Sequence, residues 1–405
     1  MTQGAGQGRD GATAVVVGAG IGGLCAAVGL RRRGWDVTVL ERAPGFTQVG
    51  AGLTILANGL RGLDALGLGD AVRAQGSPEA SGGMRTPDGR WVMRVDAAEM
   101  TRALGTSAVG IHRATLHEVL VAALPAAVLR TGVELVSVEG GVRPGVVYRD
   151  AGGTEVTLRP DLLVAADGIH SQVRTTLWPG ARPPVHSGST AWRGVTREPW
   201  AGELVTAITW GPGTEFGMVP LGDGRVYWFG AVTAEPGGRA PGGDEMAEVR
   251  ARFGDWHDPV PALLDATDPG AVLRGDLLRL PPVDTYHRGA VALLGDAAHA
   301  MVPNLGQGAN QAIEDAAVLA SVCDPAGDVV SALAVYDAQR RRRSQGVARA
   351  ATRAARYGQQ LRNPLALRAR NTLMGLVPPR AAVRMASAVA AWEPPVVPVA
   401  PTRAG

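Results

Sequence analysis

Lysine is missing from all 405 residues, so each of the 40 basic side chains is an arginine. That absence excludes a Schiff-base lysine, a pyridoxal phosphate anchor and the lysine of a phosphate-binding P-loop. Cysteine is nearly missing as well. Cys25 and Cys323 are too few for a disulfide framework or a thiolate metal site, and no metal is expected. Both read as core thiols suited to a reducing cytoplasm, Cys25 within a predicted nucleotide-binding helix where a small apolar residue packs closely. No apolar run reaches about 18 residues, and the tail after Leu373 is broken by Pro378, Pro379, Arg380 and Arg384. No membrane span is expected. Residues 1–11 are polar and glycine-rich, unlike a secretory signal, and read as a flexible N-terminus. An excess of one sign of charge is lacking too: 40 arginines against 37 acidic residues leave a net charge of +3, although the isoelectric point is about 9.2, which leaves no nucleic-acid footprint.

The chain is long enough for two domains, or for one with a large insertion, and its 46% hydrophobic and 19% charged residues suit a soluble globular protein. Ala14 to Val17 is a short apolar run of the kind a buried parallel strand needs. A helix follows from Gly22 to about Arg33, stopped at Gly34, and then a strand from Val37 that ends at Glu41. A helix is predicted near Asn58–Leu66, and another over 115–124, where Leu116, Val119, Leu120 and Leu124 recur at helical spacing. Residues 128–166 read as antiparallel strands turning at Gly140-Gly141 and Gly152-Gly153, closed by the apolar strand Leu162–Ala166. From about 185 to 284 the texture is β-rich and carries five tryptophans, with a Gly/Pro-rich loop at 236–243. A strand at 290–294 and helices at 308–323 and 331–361 follow. Arg340 to Arg343 reads as a solvated helix face. No second glycine fingerprint appears, so a separate NAD(P) domain is not expected.

Three segments carry chemistry. Gly18-Ala19-Gly20-Ile21-Gly22-Gly23 stands between a strand and a helix, as a dinucleotide loop requires. Gly18 permits the turn, Gly20 lets amides approach a pyrophosphate, and Gly23 lets helix and strand pack closely. Glu41, 18 residues beyond Gly23, is placed to accept from an adenosine ribose, which suits FAD or NAD rather than NADP. The late segment Gly295-Asp296, continuing through Pro303, Asn304, Gly306, Gly308, Ala309 and Asn310, separates those two. Asp296 is suited to a ribityl hydroxyl, which FAD has and NAD lacks, while Gly306 and Gly308 admit a flat ring close to the backbone. The following helix N-terminus places positive potential beside a developing anion. Between them lies Asp167-Gly168-Ile169-His170-Ser171, with Ser171 a helix N-cap.

On these segments, and on Ile111-His112-Arg113 with Leu116, the sequence resembles the single-component FAD-dependent aromatic hydroxylases of the para-hydroxybenzoate hydroxylase fold. The stretch from His299 to Gly308 most resembles the branch holding zeaxanthin epoxidase, urate hydroxylase, salicylate hydroxylase and 3-hydroxybenzoate 6-hydroxylase. The resemblance implies an α/β fold in which a Rossmann-like FAD domain (12–75, 107–182 and 285–330) carries a β-rich substrate domain (76–106 and 183–284), followed by C-terminal helices (331–405). It implies FAD contacts at Ile21, Gly22, Arg42, Gly52, Arg113, Leu135, Asp167, Gly168 and Arg174, with Asp167 and Gly168 also serving NAD(P)H. It implies a monooxygenase that takes NAD(P)H and O2 and transfers one oxygen, through a flavin C4a-hydroperoxide, to an electron-rich aromatic, heteroaromatic or alkene. The protein itself is expected as monomer or homodimer.

For the substrate pocket the residues suggest Arg193, Trp210, Phe216, Met218, Pro220 and Trp228 from the β-rich part, with Pro303 and Asn304 from the flavin side. Some phenol hydroxylases of this branch use a histidine in the substrate sheet, and none stands between Trp192 and Trp228; His186 and His257 flank that stretch. His299 is expected to support its loop rather than act as a base. Flavin halogenases, which share the ancestral fold but need a lysine, are disfavoured. A flavin reductase or desaturase of the same fold, and a non-catalytic flavin-binding protein, remain alternatives. Residues 362–405 show no motif.

Overall fold

The computed structural model describes residues 11–45, 51–78 and 82–400; the expected flexible N-terminus lies outside these except for Gly11. Thr13–Val17, a run of small and β-branched residues, is central in a six-stranded sheet. Leu162–Ala165 pairs with it in parallel on one side and Asp36–Glu41 on the other. Val291–Leu293 continues the parallel series, and Leu129–Thr131 closes the far edge. The antiparallel strand His287–Arg288 completes the near edge.

The register of this sheet decides where the three motifs fall. Val17 stands opposite Ala165, and Ala165 opposite Leu293. Gly18, Asp167-Gly168 and Gly295-Asp296 therefore leave neighbouring strands at the same carboxyl edge, where open α/β sheets bind ligands. The helix Ile21–Arg32 packs on Gly308–Val322, joining the first and last segments through one core.

A seven-stranded sheet runs in the order Leu273–Arg279, Val185–Val195, Val226–Thr233, Thr214–Pro220, Ala207–Gly211, Gly82–Arg85, Trp91–Val95. Because side chains alternate across a strand, its residues divide between two faces. Trp192, Phe216, Met218 and Trp228 point to one, packed on the helices Glu245–Phe253 and Val260–Asp265. Phe216 stacks on Trp228 with centroids 5.6 Å apart. The sequence reading takes this region as β-rich throughout and misses both helices, although Met246, Val249 and Phe253 stand at i, i+3 and i+7 and are all buried. It also places Leu129–Thr131 in the antiparallel set, whereas this strand joins the main sheet beside Val39–Glu41. Alternation identifies a strand and not its partner. The antiparallel three-stranded sheet is made by Glu134–Glu139, Gly145–Arg149 and Glu155–Leu158.

The arginine run needs correction. Four consecutive residues circle a helix at 3.6 per turn, so they cannot share one face. Within Val329–Tyr357, Arg342 is exposed and Arg341 pairs with Asp337. Arg340 is fully buried: its Nε lies 2.7 Å from Asp315 Oδ1, and its Nη1 2.5 Å from Glu314 Oε2. Arg343 Nε adds a bond of 2.6 Å to Glu314 Oε2. Substituting Arg340→Met removes one cation from each of two buried carboxylates, leaving Glu314 to Arg343 and Asp315 to His299, which is expected to cost about 3 kcal/mol. Urea unfolding measures it, and a loss below about 1 kcal/mol contradicts this role.

Candidate active site

The first glycine segment is built by close approach. Gly18 takes φ +101°, and a Cβ there would stand 2.4 Å from the Ala166 carbonyl oxygen. A Cβ on Gly23 would stand 2.0 Å from the Gly18 carbonyl oxygen, so helix and turn pack as expected. Gly20 differs: a Cβ there meets nothing within 4 Å. No packing among the described residues explains this glycine, and the room beside it suits a phosphate. Glu41 holds the same loop, its carboxylate accepting from the Ala19 amide and the Ala43 amide at 2.8 Å each. His117 Nε2 lies 2.7 Å from the Ala19 carbonyl oxygen, a support the sequence reading misses.

At the second strand tip, Ser171 caps Gln172–Leu177 by accepting from the Arg174 amide at 2.9 Å, as expected. Arg174 donates to the Ala297 and Ile169 carbonyls at 2.8 and 2.6 Å, tying the middle segment to the late one. Asp167 Oδ2 accepts from the Val173 amide at 3.1 Å, while the buried Oδ1 has no partner among the described residues. Burial pushes the Asp167 carboxyl above its ordinary range, against hydrogen bonds from Ser171 and the Val173 amide.

The third tip is fixed from below. Asp315 Oδ2 accepts from the Gly295 amide at 2.9 Å and lies 2.6 Å from His299 Nε2, so His299 supports its loop as expected. Asn310 does not face the cavity. Its side chain accepts from the Leu56 amide at 2.9 Å and donates to the Gly306 carbonyl at 2.7 Å, shaping the loop around it.

One cavity of about 980 Å³ joins these parts. Gly20, Ile21, Gly22, Gly23, Gly168 and Asp296 line one end. Gly52, Arg113, Pro303, Asn304, Gly306, Gly308 and Ala309 line its middle. The second face of the seven-stranded sheet closes the other end with Arg193, Ile208, Glu215, Val219, Tyr227 and Phe229. Gly18, Glu41, Arg42, Leu135, Asp167 and Arg174 do not line it; Leu135 sits in the three-stranded sheet and Arg42 is exposed. Gly52 has a second reason to be glycine, since a Cβ there would stand 2.5 Å from Tyr227.

Of the expected pocket residues, Arg193, Met218, Pro303 and Asn304 line the cavity, although the Met218 side chain also belongs to the core of the opposite sheet face. Phe216 and Trp228 stand on that opposite face, in the core. The expected residues mix the two faces of the sheet, Arg193 on the cavity side and Phe216 and Trp228 on the core side. Pro220 is half-buried outside the cavity. Trp210 stands behind the lining, donating its indole N–H to Glu215 Oε2 at 2.6 Å. Glu215, 3% exposed, was missed, because a lone glutamate among apolar strand residues carries no motif. Met385, Ala386, Val389 and Ala390 of the C-terminal tail also line the cavity. His186 lies 3.8 Å from Asp276, and His257 Nε2 2.9 Å from Thr209 Oγ1; neither lines the cavity.

The family described as "FAD binding domain" matches residues 11–351. The chain is 36% identical over 370 residues to aurachin C monooxygenase/isomerase of Stigmatella aurantiaca, covering 91% of this chain and 95% of that protein. It is 37% identical over 348 residues to 3-amino-4-hydroxybenzoate 2-monooxygenase of Streptomyces cremeus, covering 84% and 86%. The crystal structure of Klebsiella pneumoniae HpxO complexed with FAD and uric acid superposes with a TM-score of 0.86 at 27% identity, covering 94% of this chain and 96% of that one. The chain belongs to this FAD-binding family and has the fold of the flavin hydroxylases. It is an FAD-dependent monooxygenase.

Glu215 makes a pH prediction. Burial pushes its carboxyl from 4.5 up to about 7, against hydrogen bonds from Trp210 and Asn304. Between those values the folded chain holds a proton that the unfolded chain has released, so stability falls as pH rises through the window. At about 1.4 kcal/mol per unit the full effect is about 3 kcal/mol. Denaturant midpoints are expected to show this slope in the native protein and not in Glu215→Gln; parallel curves contradict it.

Proposed function

We propose that this monooxygenase uses NAD(P)H and O2 to hydroxylate or epoxidise a small electron-rich aromatic, heteroaromatic or alkene at the sheet end of the cavity. The supporting observation is the common carboxyl edge, which delivers three distant segments to one cavity continuous with the substrate-sized space beyond Asn304. Relatives named for 6-hydroxynicotinate and urate favour a small heteroaromatic.

In this reading the discontinuous unit around the parallel sheet holds FAD. Gly18 to Gly23 cradle the pyrophosphate, with the helix Ile21–Arg32 directing its amides toward the charge. Glu41, outside the cavity lining and holding the loop at Ala19 and Ala43, is read as taking the adenosine ribose with a remaining lone pair, and Asp296 faces the ribityl chain. Gly52, Arg113, Pro303, Gly306, Gly308 and Ala309 flank the ring. Bound FAD supplies electron exchange with NAD(P)H and activation of O2. The chain contributes placement and dryness: Ile208, Val219, Phe229, Leu273 and Leu277 line the far end with apolar surface and keep water from the reacting atoms. Among the described residues no helix is long and apolar enough to cross a membrane; two buried unpaired thiols suit a reducing cytoplasm, and the protein is read as a monomer or homodimer.

With NADH or NADPH, labelled O2 and an aromatic panel, one labelled atom is expected in the product. Cofactor oxidation that yields only H2O2 for every compound contradicts the proposal. Gly20, at φ −70° and ψ 176° with open space beside it, accepts alanine without strain. Gly20→Ala is expected to unfold within about 0.5 kcal/mol of the native apoprotein while retaining far less flavin after gel filtration. Full flavin occupancy contradicts the cradle.

A further inference from the structure

We propose that Glu215 recognises the substrate by accepting a hydrogen bond from a ring N–H or an aromatic O–H, so that the site selects donor-bearing aromatics over their methylated counterparts. The inference rests on the oxygenase reading of the cavity and adds what that reading lacks, the polar handle of the substrate.

Glu215 lies on Thr214–Pro220 and faces the cavity with Gly217 and Val219. Both of its hydrogen bonds fall on Oε2, from Trp210 Nε1 at 2.6 Å and Asn304 Nδ2 at 3.4 Å. Oε1 accepts none among the described residues, and no described basic side chain forms an ion pair with this carboxylate. A buried carboxylate without a cation is costly unless donors satisfy it. Here Oε2 is held by an indole and an amide, which leaves Oε1 to accept from a cavity donor once the carboxyl, kept protonated by burial up to about 7, has ionised.

Its surroundings restrict that donor. Arg193, the cationic group of this sheet face, is separated from Glu215 by the strand Val226–Thr233, about 10 Å at ordinary strand spacing. Tyr227 lies beside Arg193, and burial raises its phenol pKa while the arginine opposes this. Between the two, Phe229 and Ala231 present apolar surface, and Ile208 adds to it on the strand beyond Glu215. Asn304 carries Glu215 to the loop placed against the flavin ring, so a donor held at Oε1 stands at the reacting end. A flat ring with one N–H or O–H directed at Glu215 matches this distribution.

The test is equilibrium dialysis at about pH 8.5, above the value near 7 to which burial raises Glu215, on the flavin-loaded protein with two matched pairs, indole against 1-methylindole and 2-naphthol against 2-methoxynaphthalene. The native protein is expected to favour the donor of each pair by about tenfold or more, because a site built to hydrogen-bond a group rejects the analogue lacking it. Glu215→Gln keeps the shape and a weaker acceptor and is expected to reduce the preference. Glu215→Leu is expected to abolish it. General loosening of the pocket weakens both members of a pair and leaves their ratio unchanged. A native ratio near one, or no binding of any probe, overturns the proposal whatever the variants do. Dialysis needs no turnover: a kept ratio without oxygen transfer indicts the oxygenase reading, and oxygen transfer without a ratio indicts Glu215.

Discussion

Two adjacent acids in one helix, Glu314 and Asp315, are fully buried, and most of the functional architecture is anchored to them. Asp315 holds the Gly295 amide and His299 on one side and Arg340 on the other. Glu314 takes Asn58 at 2.7 Å together with Arg340 and Arg343. The turn that presents Asp296, the helix Ala57–Ala65 and the long helix Val329–Tyr357 are thereby joined at one point in the core. Burial alone would push Asp315 upward; the nearby His299 and Arg340 outweigh it and hold this carboxyl below its ordinary range. The cost of burying such charges is offset only by close pairing, so these elements hold one another in position.

The same economy shapes the second sheet. Period-two alternation gives it one face for a core and one for chemistry. Large aromatics fill the first, where Trp228 Nε1 finds Thr267 Oγ1 at 2.8 Å and Phe253 meets Trp256 edge-on. The second face carries Arg193 and Glu215 among Ile208, Val219, Tyr227 and Phe229, and leaves a space against the loop at 303–308. Trp210 belongs to the chemical side only indirectly, by holding Glu215.

Much of the flavin end was legible from sequence because backbone chemistry there demands particular residues. A turn at positive φ, a helix packed on a turn and a serine cap each leave a local signature, and Gly18, Gly23 and Ser171 stand in the structure as those signatures require. Long-range partners leave none. Arg340 looks like surface charge until Glu314 and Asp315 face it, and His117 looks ordinary until Ala19 lies beside it. In the substrate sheet the alternation was visible, but which parity faces the cavity was not, so Phe216 and Trp228 stood among the expected pocket residues and Glu215 and Tyr227 did not. The contribution of Met385 and Val389 to the cavity had no local sign, because a short amphipathic helix looks the same wherever it docks.

The central claim is that segments leaving three neighbouring strands close on one flavin. A crystal structure of the protein purified with its yellow cofactor tests it most directly. The account expects the pyrophosphate against Gly20 and an Asp296 carboxylate oxygen within hydrogen-bond distance of a ribityl hydroxyl. A flavin lodged elsewhere, or Asp296 turned away from that chain, would contradict it.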